Sequence, residues 1–196
     1  MILEGLVTTL APDGTLNVAP MGPQVDATLA RFTLRPYRTS TTFRNLKATG
    51  EGVFHITDDV LLLARAAISK VVDAPTRPAT VVRGRILEVT GRYHEFRVLD
   101  LDDRADRTTI RVETVAEGRQ SADLFGLNRA KHAVVEAAIL ATRLDFLPPA
   151  EVLADFARLA VLVEKTGGLA EHRAFGLLAD HVRRVIAGPG TSHDPS

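Results

Sequence analysis

Hydrophobic and polar positions follow a strand-like rhythm in short stretches over the first two-thirds of the chain and a helical one over the last third. Residues 3–10 are apolar and Thr-rich, and Pro12-Asp13-Gly14 then marks a turn, since Pro presets φ and Gly admits a positive one. Residues 16–21 resume as the second arm of a hairpin. Over 28–34, Leu29, Arg31 and Thr33 alternate with Ala30, Phe32 and Leu34, as a half-buried strand requires. Thr39-Ser40-Thr41-Thr42 supplies several caps ahead of a short helix at 43–49, which Gly50 ends. A β-branched strand at 53–57 precedes a helix from Asp58-Asp59 to Ser69. After a Pro-rich break at 74–78, strands are expected over 80–90, 93–99 and 108–117, with Gly91 as a turn. Six or so strands with two short helices predict a small barrel or sandwich.

The period changes near Ser121. Residues 128–145 are Ala-rich and lack Gly and Pro, which predicts a helix, and Pro148-Pro149 breaks it. Over 151–165, Val152, Phe156, Leu159 and Val163 share one helical face, and over 170–186 Phe175, Leu178, Val182 and Val185 do the same, with Gly167-Gly168 between them. The expected organisation is α+β: a strand-rich domain at 1–120, a bundle-like helical subdomain at 121–187, and a disordered tail at 188–196.

Composition narrows the chemistry. The absence of Cys removes thiol catalysis, disulfides, iron–sulfur clusters and cysteine zinc sites. The 24 basic and 24 acidic side chains cancel, which argues against a broadly basic binder of nucleic acid or membranes. No run approaches the ~20 apolar residues of a membrane span, and the N-terminus carries Glu4 and no basic region, so a cytoplasmic protein is expected. His172 and His181 fall on opposite helix faces, and no His spacing matches a metal site. Neither a phosphate-binding glycine loop nor a serine-hydrolase elbow is present.

Neutrality conceals a local excess. Residues 27–50 hold Arg31, Arg35, Arg38, Arg44 and Lys47 and no acid. At the centre of this window, Arg35 and Arg38 lead through Thr39, Ser40, Thr41 and Thr42 into a helix start, where unpaired N–H groups and the positive end of the helix dipole favour an anion such as phosphate. The same residues also read as an ordinary N-cap beside solvated arginines. A second stretch, Asn17-Val18-Ala19-Pro20-Met21-Gly22, ends a strand with a residue lacking an N–H and one lacking a side chain, so its backbone can meet a flat ligand closely or simply run into a loop.

These two stretches, with Asn45-Leu46 and the strand at 53–57, stand in the order found in flavin-reductase-type FMN-binding split barrels, which the chain resembles. With the helix carrying Asn128-Arg129-Ala130-Lys131, Glu136 and Thr142-Arg143, it resembles more closely the domain-of-unknown-function family 447, split-barrel flavoproteins with a C-terminal helical extension. The resemblance implies FMN at a homodimer interface, its phosphate held by Thr39, Ser40, Thr41 and Thr42 with Arg35 or Arg38. It places Ala19, Pro20, Met21 and Gly22 against the ring and brings the strand with His55 and Thr57 to its polar edge, where His55 stands in place of an Asn. Asn17, Asn45, Asn128 and Arg129 complete the implied set. On the long helix, Arg129, His132, Glu136 and Arg143 share a face, either as a solvated stripe or with Glu136 orienting Arg129. The implied function is a flavin oxidoreductase acting on a small redox substrate. A flavin carrier or sensor, or a flavin-free module for a phosphate ligand or RNA, are the other readings.

Overall fold

The computed structural model describes residues 3–26, 28–68, 73–120 and 129–188, and the chain divides into two compact units, Met1–Phe125 and Gly126–Ser196. In the first unit, β1 (Gly5–Leu10) and β2 (Leu16–Met21) form the expected hairpin, with Gly14 at φ 92° and Asp13 Oδ1 accepting the Thr15 N–H at 2.9 Å. Then come β3 (Gln24–Val25), β4 (Arg31–Leu34), α1 (Thr41–Thr49), β5 (Glu51–Ile56) and α2 (Val60–Ile68). The short pair β6 (Thr76–Pro78) and β7 (Arg85–Leu87) precedes the long pair β8 (Arg92–Asp102) and β9 (Thr109–Arg119).

Seven strands pair antiparallel in the order β2-β1-β5-β8-β9-β4-β3. The edge strands β2 and β3 are consecutive in the chain, separated only by Gly22 and Pro23, so the sheet must curl until its edges approach: a split β-barrel. Val7, Phe32, Phe54, Phe96, Ile110 and Val112 fill the inside, and α1 adds Phe43 and Leu46. The Phe32 ring meets Phe54 and Phe96 at centroid distances of 5.6 and 5.5 Å. Each such buried side chain contributes about 1.5–3 kcal/mol. Gly52 is required where it stands, because a Cβ there would lie 2.6 Å from Phe96 Cζ. On the other face, Val53 and Tyr93 pack with Val82 and Ile86 from the β6–β7 segment.

Three expectations fail for identifiable reasons. The strand expected at 80–90 is β7 alone, and the Pro-rich break contributes β6. The N–H groups of Thr80, Val81 and Val82 go to the buried Glu95 carboxylate and that of Arg83 to Glu51, so this segment has no donors left for a strand partner. The strand expected from residue 28 begins at Arg31, because Leu29 sits at φ 55°, held by its N–H to Asp26 Oδ1 and by Thr114 Oγ1 on its carbonyl.

The second unit contains α3 (Arg129–Ala141), α4 (Pro149–Thr166) and α5 (Leu169–Ala187). Ala130, Ala133, Ala137, Ala138 and Ala141 form the buried side of α3, and Val152, Phe156, Val163, Ala174, Leu178 and Val182 complete the core. The helix expected to reach 145 stops at Ala141, and Val185, expected on the core face of α5, is 47% exposed. Apart from Gly188, the expected tail lies outside the described residues. Among the described residues no helix is long and apolar enough to cross a membrane.

Candidate functional site

Ser40 is the N-cap of α1: its Oγ accepts the Phe43 N–H at 3.1 Å, and Gly50 closes the helix at φ 69°. The first turn holds no acid, and among the described residues no acceptor meets the N–H groups of Thr41 and Thr42. These are the donors a helix start offers to an anion. Arg44 reaches back from α1 to the Thr39 carbonyl at 2.8 Å and to Thr41 Oγ1 at 3.0 Å, so its charge braces the turn without being neutralised.

The preceding segment is fastened to the β8–β9 connection. Thr108 donates its N–H and its Oγ1 hydrogen to the Pro36 carbonyl, Tyr37 bridges Arg107, and the Arg38 N–H goes to the Asp106 carbonyl. Arg38 also faces Asp106 Oδ1 at 3.5 Å, and Lys47 Nζ lies 2.6 Å from Asp103 Oδ2. The Lys47 hydrogen bond and charge hold the Asp103 carboxyl below its ordinary value. Two charges of the basic window therefore have acidic partners more than fifty positions away. Arg35 is exposed with no such partner among the described residues.

On β2, Ala19, Pro20, Met21 and Gly22 are half-buried at the sheet edge, with Met21 against the barrel core. Asn17 Nδ2 donates to Thr42 Oγ1 at 3.1 Å and to Thr9 Oγ1 at 3.2 Å, and Asn45 Nδ2 also reaches Thr9 Oγ1, at 3.0 Å. Asn17, Thr42 and Asn45 are thus brought together, through a Thr9 that sequence reasoning missed. One inward-facing Thr in a Thr-rich strand carries no signal of its own.

His55 lies fully buried on β5, where its Nε2 accepts the Leu87 N–H at 3.1 Å and its Nδ1 has no partner. Burial first, with a smaller push from His94, lowers its pKa to about 3, so the ring is neutral. Thr57 Oγ1 accepts the Asp59 N–H at 3.0 Å. In the second unit Arg129 opens α3 and is exposed, as are His132, Glu136 and Arg143. Among the described residues no ion pair joins them. Asn128 lies outside the described residues.

Among solved structures, an FMN-bound protein from Methanosarcina mazei is similar over 92% of this chain and 94% of its own, with 22% identity and a TM-score of 0.82. An FMN-binding protein from Thermus thermophilus with bound 1-cyclohex-2-enone shares 15% identity over 63% of this chain and 73% of its own, at a TM-score of 0.54. The flavoredoxin of Desulfovibrio vulgaris shares 12% identity over 63% and 72%, at 0.53. At these identities the likeness shows a common fold. No curated protein matches the sequence. The model of the N-terminal domain of the protein of unknown function DUF447 matches residues 3–121 and a second model of the same family matches 128–180, so the chain belongs to the DUF447 family.

Proposed function

We propose that this protein binds FMN between the β2 edge and the N-terminus of α1, as a homodimeric, cytoplasmic oxidoreductase. The observation that carries the reading is the start of α1. Two unmet N–H groups, the hydroxyls of Thr39, Ser40 and Thr41, and the Arg35 and Arg38 guanidiniums occur together, with no acid in the first turn. This donor set fits a phosphate monoester, which presents only acceptor oxygens. Thr42, Asn45 and Asn17 are tied to one another and to Thr9, so they support the site from beneath, while Ala19, Pro20, Met21 and Gly22 present a strand edge to a flat ring. His55 and Thr57 hold the strand end: one accepts from Leu87 and the other from Asp59. The FMN-bound relative in the same family supports the choice of ligand.

When bound, FMN supplies the hydride or electron chemistry, and the chain supplies binding and orientation. With His55 neutral and its Nε2 taken by the Leu87 N–H, this side chain serves the fold rather than proton transfer. Two spectra test the reading. Purified protein is expected to take up FMN with the absorption bands of bound flavin, and a protein that takes up none sinks the proposal. Anaerobic NADH or NADPH is then expected to bleach those bands, whereas persistence of oxidised flavin with both donors favours a carrier or sensor.

A further inference from the structure

Thr9 is 0% exposed on β1, and its Oγ1 accepts hydrogen bonds from two amides belonging to different elements. A hydroxyl has two acceptor positions, and both are taken, one by Asn17 of β2 and one by Asn45 of α1. The second Asn17 hydrogen continues the chain to Thr42 Oγ1. Thr42 and Asn45 are 2% and 4% exposed. The Asn45 bond is buried and the Asn17 bonds are partly so, and a bond shielded from water is electrostatically stronger than an exposed one. The consequence is mechanical. Asn17 stands two residues before Ala19 on the strand edge, and Asn45 stands one helical turn beyond Thr41. The Thr9 hydroxyl, shared by both elements, and the direct Asn17–Thr42 bond beside it together set how far the strand edge lies from the helix start.

We infer that Thr9 is a positioning residue through which the site distinguishes phosphorylated from unphosphorylated flavins, by tightening, together with the Asn17–Thr42 bond, the span between the β2 edge and the N-terminus of α1. The inference rests on the FMN reading above. A ligand with a ring at one end and a phosphate at the other gains from both ends together only if that span is held, because a loose span makes the second contact cost the ordering of the first. Riboflavin, which has no phosphate, uses the ring end alone and is indifferent to it.

The test is fluorescence titration of FMN and of riboflavin against the wild-type protein, Thr9→Val and Thr9→Ser. Valine keeps the shape and removes the hydroxyl, while serine keeps the hydroxyl. The expected result is that Thr9→Val reduces the preference for FMN over riboflavin about tenfold, the scale of one or two lost hydrogen bonds. Riboflavin affinity moves by less than about twofold, and Thr9→Ser retains the wild-type preference. If Thr9→Val shows no cooperative melt, Asn45→Ala, which parts Thr9 from α1 and leaves the Asn17–Thr42 bond, takes its place, with a fall in the preference for FMN again expected. An unchanged preference in the hydroxyl-free variant overturns the inference, as does a loss in Thr9→Ser equal to that in Thr9→Val. Those results leave FMN binding by the wild type intact. A wild-type protein that binds neither flavin removes the underlying reading and this inference with it.

Discussion

Arg35 and Arg38 are three positions apart, yet their surroundings differ. Arg38 touches the Asp103 carbonyl at 3.4 Å and Asp106 Oδ1 at 3.5 Å, whereas among the described residues no acid meets Arg35. An exposed pair of this length adds little, so Asp106 is a weak competitor for the proposed phosphate. Arg38→Ala or Thr41→Ala is expected to weaken FMN binding by about 1.5–3 kcal/mol, the scale of a charge-assisted hydrogen bond, and to leave riboflavin nearly unaffected. Calorimetric titration with both ligands checks this, and equal losses place the phosphate elsewhere. The candidate residues themselves were legible in the sequence, because hydroxyls and arginines before a helix need no tertiary information to be noticed. Their division of labour was not. Thr41 and Thr42 are neighbours in one motif, but helical geometry turns one outward and buries the other against Asn17.

Among the elements, the segment before β7 shows how a buried carboxylate overrides strand propensity. Thr80–Val82 is β-branched throughout, and its donors still close around Glu95. Burial pushes the Glu95 carboxyl up, but these hydrogen bonds together outweigh it and hold the group below its ordinary value. Glu95→Gln places amide hydrogens against donors and leaves at least one N–H unpaired. It is expected to destabilise the fold by about 2–3 kcal/mol, measured by urea denaturation, while an unchanged midpoint would show that water replaces the carboxylate. Periodicity identified α4 and α5 and both arms of the β1–β2 hairpin, because those elements depend on spacing within a few residues. It overextended α3 and the 80–90 strand, where hydrogen bonds to distant partners or a chain turn intervene.

For the whole molecule, the buried histidines set a pH dependence. His55 resists protonation down to about 3, and burial also lowers His94, against the opposing pull of Glu117. In the unfolded chain both take up protons near their ordinary value of 6.5. The unfolded state therefore binds more protons below that pH, and stability, full above about pH 7, falls as pH drops. Urea midpoints measured from pH 8 to pH 5 are expected to decline on the acid side. His55→Gln, which carries no titrating group, should remove up to about 1.4 kcal/mol per pH unit of that slope. A variant with the wild-type slope would mean that His55 is not the group responsible. The sequence by itself determined the α+β class, the turn at Gly14, the capped start of α1, the strand-to-helix order and the basic window, since all of these depend on residues close together in the chain. Only the tertiary structure decided which polar groups among the candidate residues remain available: Asp103 and Asp106 return from the β8–β9 connection to meet Lys47 and Arg38, Leu87 occupies His55, and Thr9 gathers Asn17 and Asn45. Except for Thr9 and Asn17, which face each other across the local β1–β2 hairpin, these contacts join elements distant in the chain that meet only in the folded sheet, and no local pattern records which partner will arrive.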